Sequence, residues 1–232
     1  MNKWFSKSIV SKIREAIDKY DMIKPGDKIL VGVSGGKDSS ILFYALTLLK
    51  KYGIYDFEVT GITVDHGLID QLAPYKSFCQ NHEMRLIIHH EHYAIKLSEE
   101  SEYAPCYTCS RLRKGIIKRY ALEKGYNKIA LGHTKDDLVE TFMMNIIAHG
   151  KIGSISPASI VEEGIQMIRP LVFVDEKEII KAVKHLEIPL MSDVCTFSHG
   201  RLRSQSERLI EQIELTVPDF SDKVIQALSR VD

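Results

Sequence analysis

Apolar residues at Ile9, Ile13, Ile17 and Tyr20 recur at helical spacing, so the chain opens with an amphipathic helix that Pro25-Gly26-Asp27 stops. KILVGVS is a short, β-branched apolar run that reads as a buried strand, and SGGKDS follows it. SSILFYALTLLKKYG is a helix closed by Gly53. The alternation repeats. FEVTGITVD is a strand, 74–82 a helix and MRLIIHH a strand; a polar loop then runs to Pro105. Residues 107–124 form a helix ended by Gly125, KIALGH a strand, and DDLVETFMMNIIAHG a helix ending near Gly150. Two further helices, 205–215 and 220–230, read as an appendage packed on the main sheet. Strands alternating with helices predict an α/β fold with a parallel sheet covered on both faces. The expected division is an N-terminal helix over 1–26, a nucleotide-type domain over 27–190 and a helical segment over 191–232.

Composition narrows the class. The 232 residues are 44% apolar and 27% charged, ordinary for a globular chain with a sizeable core. No apolar run is long enough to span a bilayer, and the charged opening segment lacks the apolar stretch of a secretory signal. No membrane partner is expected, and the cytoplasm is the expected location. Thirty-one basic side chains balance 31 acidic ones, so a nucleic-acid surface has to come from local segregation. RLRKGIIKR and HGRLR are the local basic clusters; each also suits an ordinary solvated helix surface.

The loop Ser34-Gly35-Gly36-Lys37-Asp38-Ser39 lies where open α/β sheets bind ligands, between a strand's carboxyl end and the next helix. Its glycines let backbone approach an anion, the helix N-terminus offers N–H groups, and Ser34, Ser39 and Lys37 add donors. That set suits a pyrophosphate. It is not a Walker A loop, because Val31 occupies the first glycine position, and it lacks the G-x-G-x-x-G spacing. Asp136 and Asp137 open a helix, where carboxylates also serve as caps.

The four cysteines are Cys79, Cys106, Cys109 and Cys195. Cys106 and Cys109 form a C-x-x-C, a pattern shared by zinc sites, disulfide exchange and iron–sulfur ligation. Cys195 is the third candidate: three thiolates can hold a [4Fe–4S] cluster and leave one iron open to sulfur. Cys79 matches no pattern and reads as a small buried hydrophobe.

VSGGKDSS resembles the signature of the PP-loop ATP pyrophosphatases, which cleave ATP between the α and β phosphates to adenylate a carbonyl oxygen. ITVDHG (62–67) is similar to the strand end that holds adenine there, and LGHTKDD (131–137) to the segment closing the nucleotide site. The resemblance implies an ATP site built from Val33, Ser34, Gly35, Gly36, Lys37, Ser39, Val64, His66, Gly132 and Asp137. Asp38, Asp137 and Lys37 would then act on the transferring group with Mg²⁺. CYTCSRLRKGI (106–116), LGHTKDDLVETFMMNI and IRPLVFVDEKEI resemble more closely the TtcA family, which makes 2-thiocytidine in tRNA. That resemblance runs from about residue 5 to about 215. It implies a [4Fe–4S] cluster on Cys106, Cys109 and Cys195, tRNA contacts through Arg111, Arg113 and Lys114, a sulfur donor (cysteine desulfurase or free sulfide) and a homodimer. Members usually carry a second C-x-x-C, whereas here Ser192 stands three before Cys195.

Three rival readings stand beside this one. A persulfide on Cys109 and Cys195 would replace the cluster. A tRNA lysidine synthase would share the loop and VDHG, but has no use for C-x-x-C. A non-catalytic ATP- or cluster-binding regulator would leave SGGKDS and Asp137 without a task.

Overall fold

The computed structural model describes residues 3–65, 67, 69–91, 105–162, 164–193 and 201–230, with only the backbone described at 105–108, 162, 192–193 and 201–204. Helix α1 runs over 3–19 and contains a π-helical turn at Ser6–Val10. Then follow β1 (Asp27–Gly32), α2 (Lys37–Lys51), β2 (Phe57–Asp65), β3 (Ile69–Asp70), α3 (Leu72–Asn81) and β4 (Leu86–His90). The second half holds α4 (Pro105–Glu123), β5 (Lys128–Ala130), α5 (Lys135–His149), β6 (Ala158–Glu162), β7 (Ile165–Ile168) and α6 (Glu176–His185). It ends with β8 (Ser192–Asp193), α7 (Arg201–Thr216) and α8 (Phe220–Leu228).

Six strands form one sheet in the order β4-β2-β1-β5-β7-β6. Five run parallel; β6 pairs antiparallel with β7. The expected parallel sheet is therefore mostly parallel, with one reversed edge strand. The hairpin that reverses it carries no clear period-two signal, because Ile160 and Val161 of β6 both stand exposed.

β1 shows why its sequence is a continuous apolar run: both faces are covered. Ile29 and Val31, with Val33 just beyond the strand, pack towards α1, α2 and α6, while Leu30 packs with Ile62, Val64 and the α4 residues Ile116 and Ile117. Ile9, Ile13 and Ile17 of α1 are all but inaccessible and join the first of these cores. Cys79 lies there too, its thiol pushed up to about 12 by burial, as a small apolar side chain. Helices α7 and α8 pack on α5 and on each other, so the C-terminal pair reaches the sheet through α5 rather than lying on it.

Topology places the site. β1 lies between β2 and β5, with chain connections leaving in both directions, so the loop after β1 sits at the switch point where such sheets open a crevice. β8 pairs with β3, laying 192–193 beside the end of β2, and Met191 N donates to Gly35 O at 3.0 Å. The chain leading to Cys195 thus crosses the loop after β1.

Candidate nucleotide site and the C-x-x-C helix

The loop after β1 is tied down from within. Ser39 Oγ accepts from Ser34 N at 3.1 Å and lies 3.1 Å from Ser34 Oγ, and it donates to Gly36 O at 3.2 Å. Ser40 Oγ donates to the same carbonyl at 2.9 Å. Gly35 has φ +88°, and a Cβ there would fall 2.5 Å from Met191 Cβ. Conformation and space both require glycine. Gly36 occupies the N-cap of α2 and has no side chain to satisfy the first turn. That end therefore presents its N–H groups and positive dipole end without a protein cap, the arrangement that binds phosphate.

The segment after β5 closes on this loop. A Cβ on Gly132 would lie 2.8 Å from Ser39 N and 2.9 Å from Asp38 C, so glycine is what lets the two backbones touch. Thr134 caps α5 in a reciprocal box: Thr134 Oγ1 accepts from Asp137 N at 3.3 Å, and Asp137 Oδ2 accepts from Thr134 N at 2.8 Å. Asp137 is thereby fixed as a helix cap, close enough for its charge to raise the carboxyl of Asp38. Asp136 turns the other way, and its Oδ2 accepts from Glu176 N at 2.7 Å, anchoring the start of α6.

Lys37 and Asp38 form the charged floor. Lys37 Nζ lies 2.6 Å from Glu176 Oε1 and 3.1 Å from Asp38 Oδ2. Burial pulls the Lys37 ammonium down, but the Glu176 hydrogen bond and the Asp38 charge outweigh it and hold it above the usual lysine value. Burial pushes the Asp38 carboxyl up; Lys37 opposes this, and Asp137 and Glu176 add to it. Asp38 Oδ1 is buried with no hydrogen-bond partner among the described residues. A carboxylate oxygen shielded from water in this way calls for a cation. It fits Mg²⁺, which binds through one or two carboxylates together with phosphate oxygens.

At the end of β2, Val64 is buried in the core on the α4 side, so its side chain faces away from solvent. His66 lies outside the described residues. Asp65 holds the strand end in place, accepting from Gly67 N at 3.0 Å and meeting His90 Nδ1 at 3.0 Å.

α4 carries the C-x-x-C in its first turns. Cys106 and Cys109 lie three apart on one helix and so share a face, although only the backbone of Cys106 is described. Cys109 is half-buried, and Arg113 Nη2 donates towards its Sγ at 3.9 Å. Cys195 lies outside the described residues, and among the described ones no three His, Cys, Asp or Glu side chains gather as ligands. The three basic residues divide: Arg113 turns to Cys109, whereas Arg111 and Lys114 are exposed. Arg111 borders an open groove of ≈ 620 Å³ along α4, lined also by Leu112, Gly115, Ile116, Arg119 and Glu91.

Sequence reasoning missed Glu176, the partner of Lys37, and the charge chain next to it. Lys12 and Lys135 each reach Asp175 at 2.5 Å, and Lys135 also meets Asp222 of α8 at 2.8 Å. The only signal for either was IRPLVFVDEKEI, which carries family likeness but no local pattern that assigns its acids a task.

Residues 5–205 match the PP-loop domain family. A tRNA-cytidine(32) 2-sulfurtransferase of Coxiella burnetii is 32% identical over 246 residues, covering 99% of this chain and 91% of that one. One of Paracoccus denitrificans is 35% identical over 232 residues, covering 97% and 77%. Among solved structures, the U34-tRNA thiolase NcsA from Methanococcus maripaludis with its [4Fe-4S] cluster superposes with a TM-score of 0.81 at 24% identity. It covers 98% of this chain and 78% of that one. An NH3-dependent NAD synthetase from Campylobacter jejuni gives 0.53 at 14% identity, covering 99% and 95%. These two structures share the fold.

Proposed function

The chain belongs to the PP-loop domain family, among the tRNA-cytidine 2-sulfurtransferases, and from that premise we propose that it replaces the C2 oxygen of a tRNA cytidine with sulfur. It is an ATP-dependent sulfurtransferase acting on tRNA. The observation that carries the finer reading is the uncapped N-terminus of α2 over Ser34–Ser39, with Lys37 and the unpartnered Asp38 oxygen beside it.

ATP would lie with its phosphates on this helix end, and Asp38, with Asp137 nearby, would hold Mg²⁺. The C2 oxygen of the base attacks the α-phosphorus, the α–β bond breaks and pyrophosphate leaves. A sulfur nucleophile then attacks C2 and expels AMP, so oxygen leaves with AMP and sulfur remains on the base. The protein contributes position and charge: Lys37 and the α2 N–H groups meet the phosphate oxygens, and no side chain becomes covalently bonded to the base. Cys106, Cys109 and Cys195 would hold a [4Fe–4S] cluster, which supplies an open iron to carry the sulfur. Arg113 donates towards the Cys109 sulfur, and the exposed Arg111 and Lys114 meet RNA phosphates around a splayed single-stranded base. Residues 191–193, which end two positions before Cys195, run past the phosphate loop. A homodimer, a cytoplasmic location and supply of sulfur by a cysteine desulfurase or free sulfide complete the reading.

Iron and acid-labile sulfide, measured after anaerobic reconstitution of wild type and Cys195→Ala, test the cluster. About four of each per wild-type chain, lost in the variant, is the expected result. Little iron in wild type with thiolation intact would replace the cluster by a persulfide on Cys109 and Cys195.

A further inference from the structure

The first residue of α6 reaches across to the first residue of α2. The two helices pack against each other with their N-termini at the same end of the sheet, and Lys37 and Glu176 stand at the first position of each. We propose that Glu176 is the positioning residue for Lys37, fixing the ammonium in the crevice so that its remaining N–H is aimed at a phosphate of ATP.

The backbone of Glu176 is anchored independently of its side chain. Glu176 N is held by Asp136 Oδ2 at 2.7 Å, and two residues earlier Val174 O accepts from Lys135 N at 3.1 Å. Val174 itself is fully buried, as are Leu171 and Val172. The connection from β7 to α6 is thus fastened to the start of α5 and to the core, and the Glu176 carboxylate starts from a fixed point.

Donor geometry supplies the rest. A lysine ammonium has three N–H donors on a flexible four-carbon stem, and an unrestrained one loses much rotamer freedom when a ligand orders it. Here Glu176 Oε1 at 2.6 Å and Asp38 Oδ2 at 3.1 Å take two of the donors. The third is left for a ligand, and its direction follows from the other two. Asp38 alone, as the neighbouring residue on the same helix, fixes only one direction. Glu176 comes from a different element and supplies the second.

This proposal rests on the reading of the loop as an ATP site, and the test separates the two. Binding of ATP and of adenosine is measured by calorimetry for wild type, Glu176→Ala and Glu176→Gln, with tRNA-dependent AMP release followed in parallel. Glu176→Ala should weaken ATP about tenfold, the size expected for one partly exposed charge-assisted contact. Adenosine affinity should stay unchanged, since it lacks the phosphates. Glu176→Gln, which keeps an acceptor of the same reach, should recover most of the loss, and in turnover the Ala variant should show a raised KM for ATP. ATP affinity equal to wild type in Glu176→Ala would overturn the proposal. So would an equal loss for ATP and adenosine, which would make Glu176 a structural residue. Wild type that binds ATP but releases no AMP would sink the adenylation reading, leaving Glu176 to be judged on binding alone.

Discussion

Gly132→Ala probes how tightly the two halves of the nucleotide site are pressed together. Nothing in the Gly132 backbone conformation demands glycine, so the effect should come from space alone. The added Cβ would sit 2.8 Å from Ser39 N, 2.9 Å from Asp38 C and 3.0 Å from Ser39 Cα, all backbone atoms in the first turn of α2. Ordinary contact begins near 3.5 Å, so one segment must retreat by roughly half an ångström or more. No rotamer change relieves this, because the atoms met are main chain. Overpacking of this kind costs about 1–3 kcal/mol, and in a chain of this size the melting temperature should fall by roughly 2–12 °C. In the proposed site the displaced turn presents its N–H groups to phosphate, so ATP affinity should fall as well. Gly36→Ala is the control for folding. A Cβ there meets only Ser34 Oγ at 3.6 Å, so its melting temperature should match wild type. Thermal melting and ATP calorimetry on both variants decide the matter. A Gly132→Ala protein with wild-type melting and wild-type ATP affinity would refute the close-contact account of this glycine.

Three more outcomes follow from the charges and the cysteines. Burial would raise the Asp175 carboxyl, but Lys12 and Lys135 hold it down at about 2. Its stabilisation, about 2 kcal/mol, is present above pH ~4 and is lost as pH falls from there towards 2; urea melts across that window should show the loss in wild type and a flatter profile in Asp175→Asn. Asp222→Ala removes the partner of Lys135 on α8, but Asp222 is 63% exposed, so global stability should change by no more than about 1 kcal/mol. Amide exchange within 220–228 should nevertheless quicken. Asp38→Ala and Cys109→Ala should each abolish tRNA thiolation while circular dichroism and melting remain wild-type-like; thiolation retained in either would remove that residue from the mechanism.

What could be read in the sequence was local. A strand running into SGGKDS and then into a helix specifies the site's position, because glycine, lysine and an open helix end are consecutive in the chain. FEVTGITVD, the helix ending before Gly53 and the helix ending at Gly150 appear where the periodicity and the glycine stops put them. The β6–β7 hairpin did not declare itself, since an edge strand with two adjacent exposed apolar residues lacks the alternation of a half-buried one. Glu176 was hidden for a different reason. Its partner Lys37 is brought near by the packing of α6 on α2, and no spacing rule connects residues so far apart in the chain. Asp137 was legible as a helix cap, and it caps α5; its part in the reaction rests on family likeness. Cys195 and His66 lie outside the described residues, so their expected roles rest on family likeness.

In the proposed reaction the loop after β1 uses ATP to exchange oxygen for sulfur on a tRNA base. This exchange is tested most directly by incubating the reconstituted protein with unmodified tRNA, ATP, Mg²⁺ and sulfide, then counting AMP and thionucleosides in the digested tRNA. 2-Thiocytidine should form one for one with AMP, and neither product should form with Lys37→Ala. Thionucleoside formed without AMP, or AMP released with the tRNA left unthiolated, would contradict that reaction.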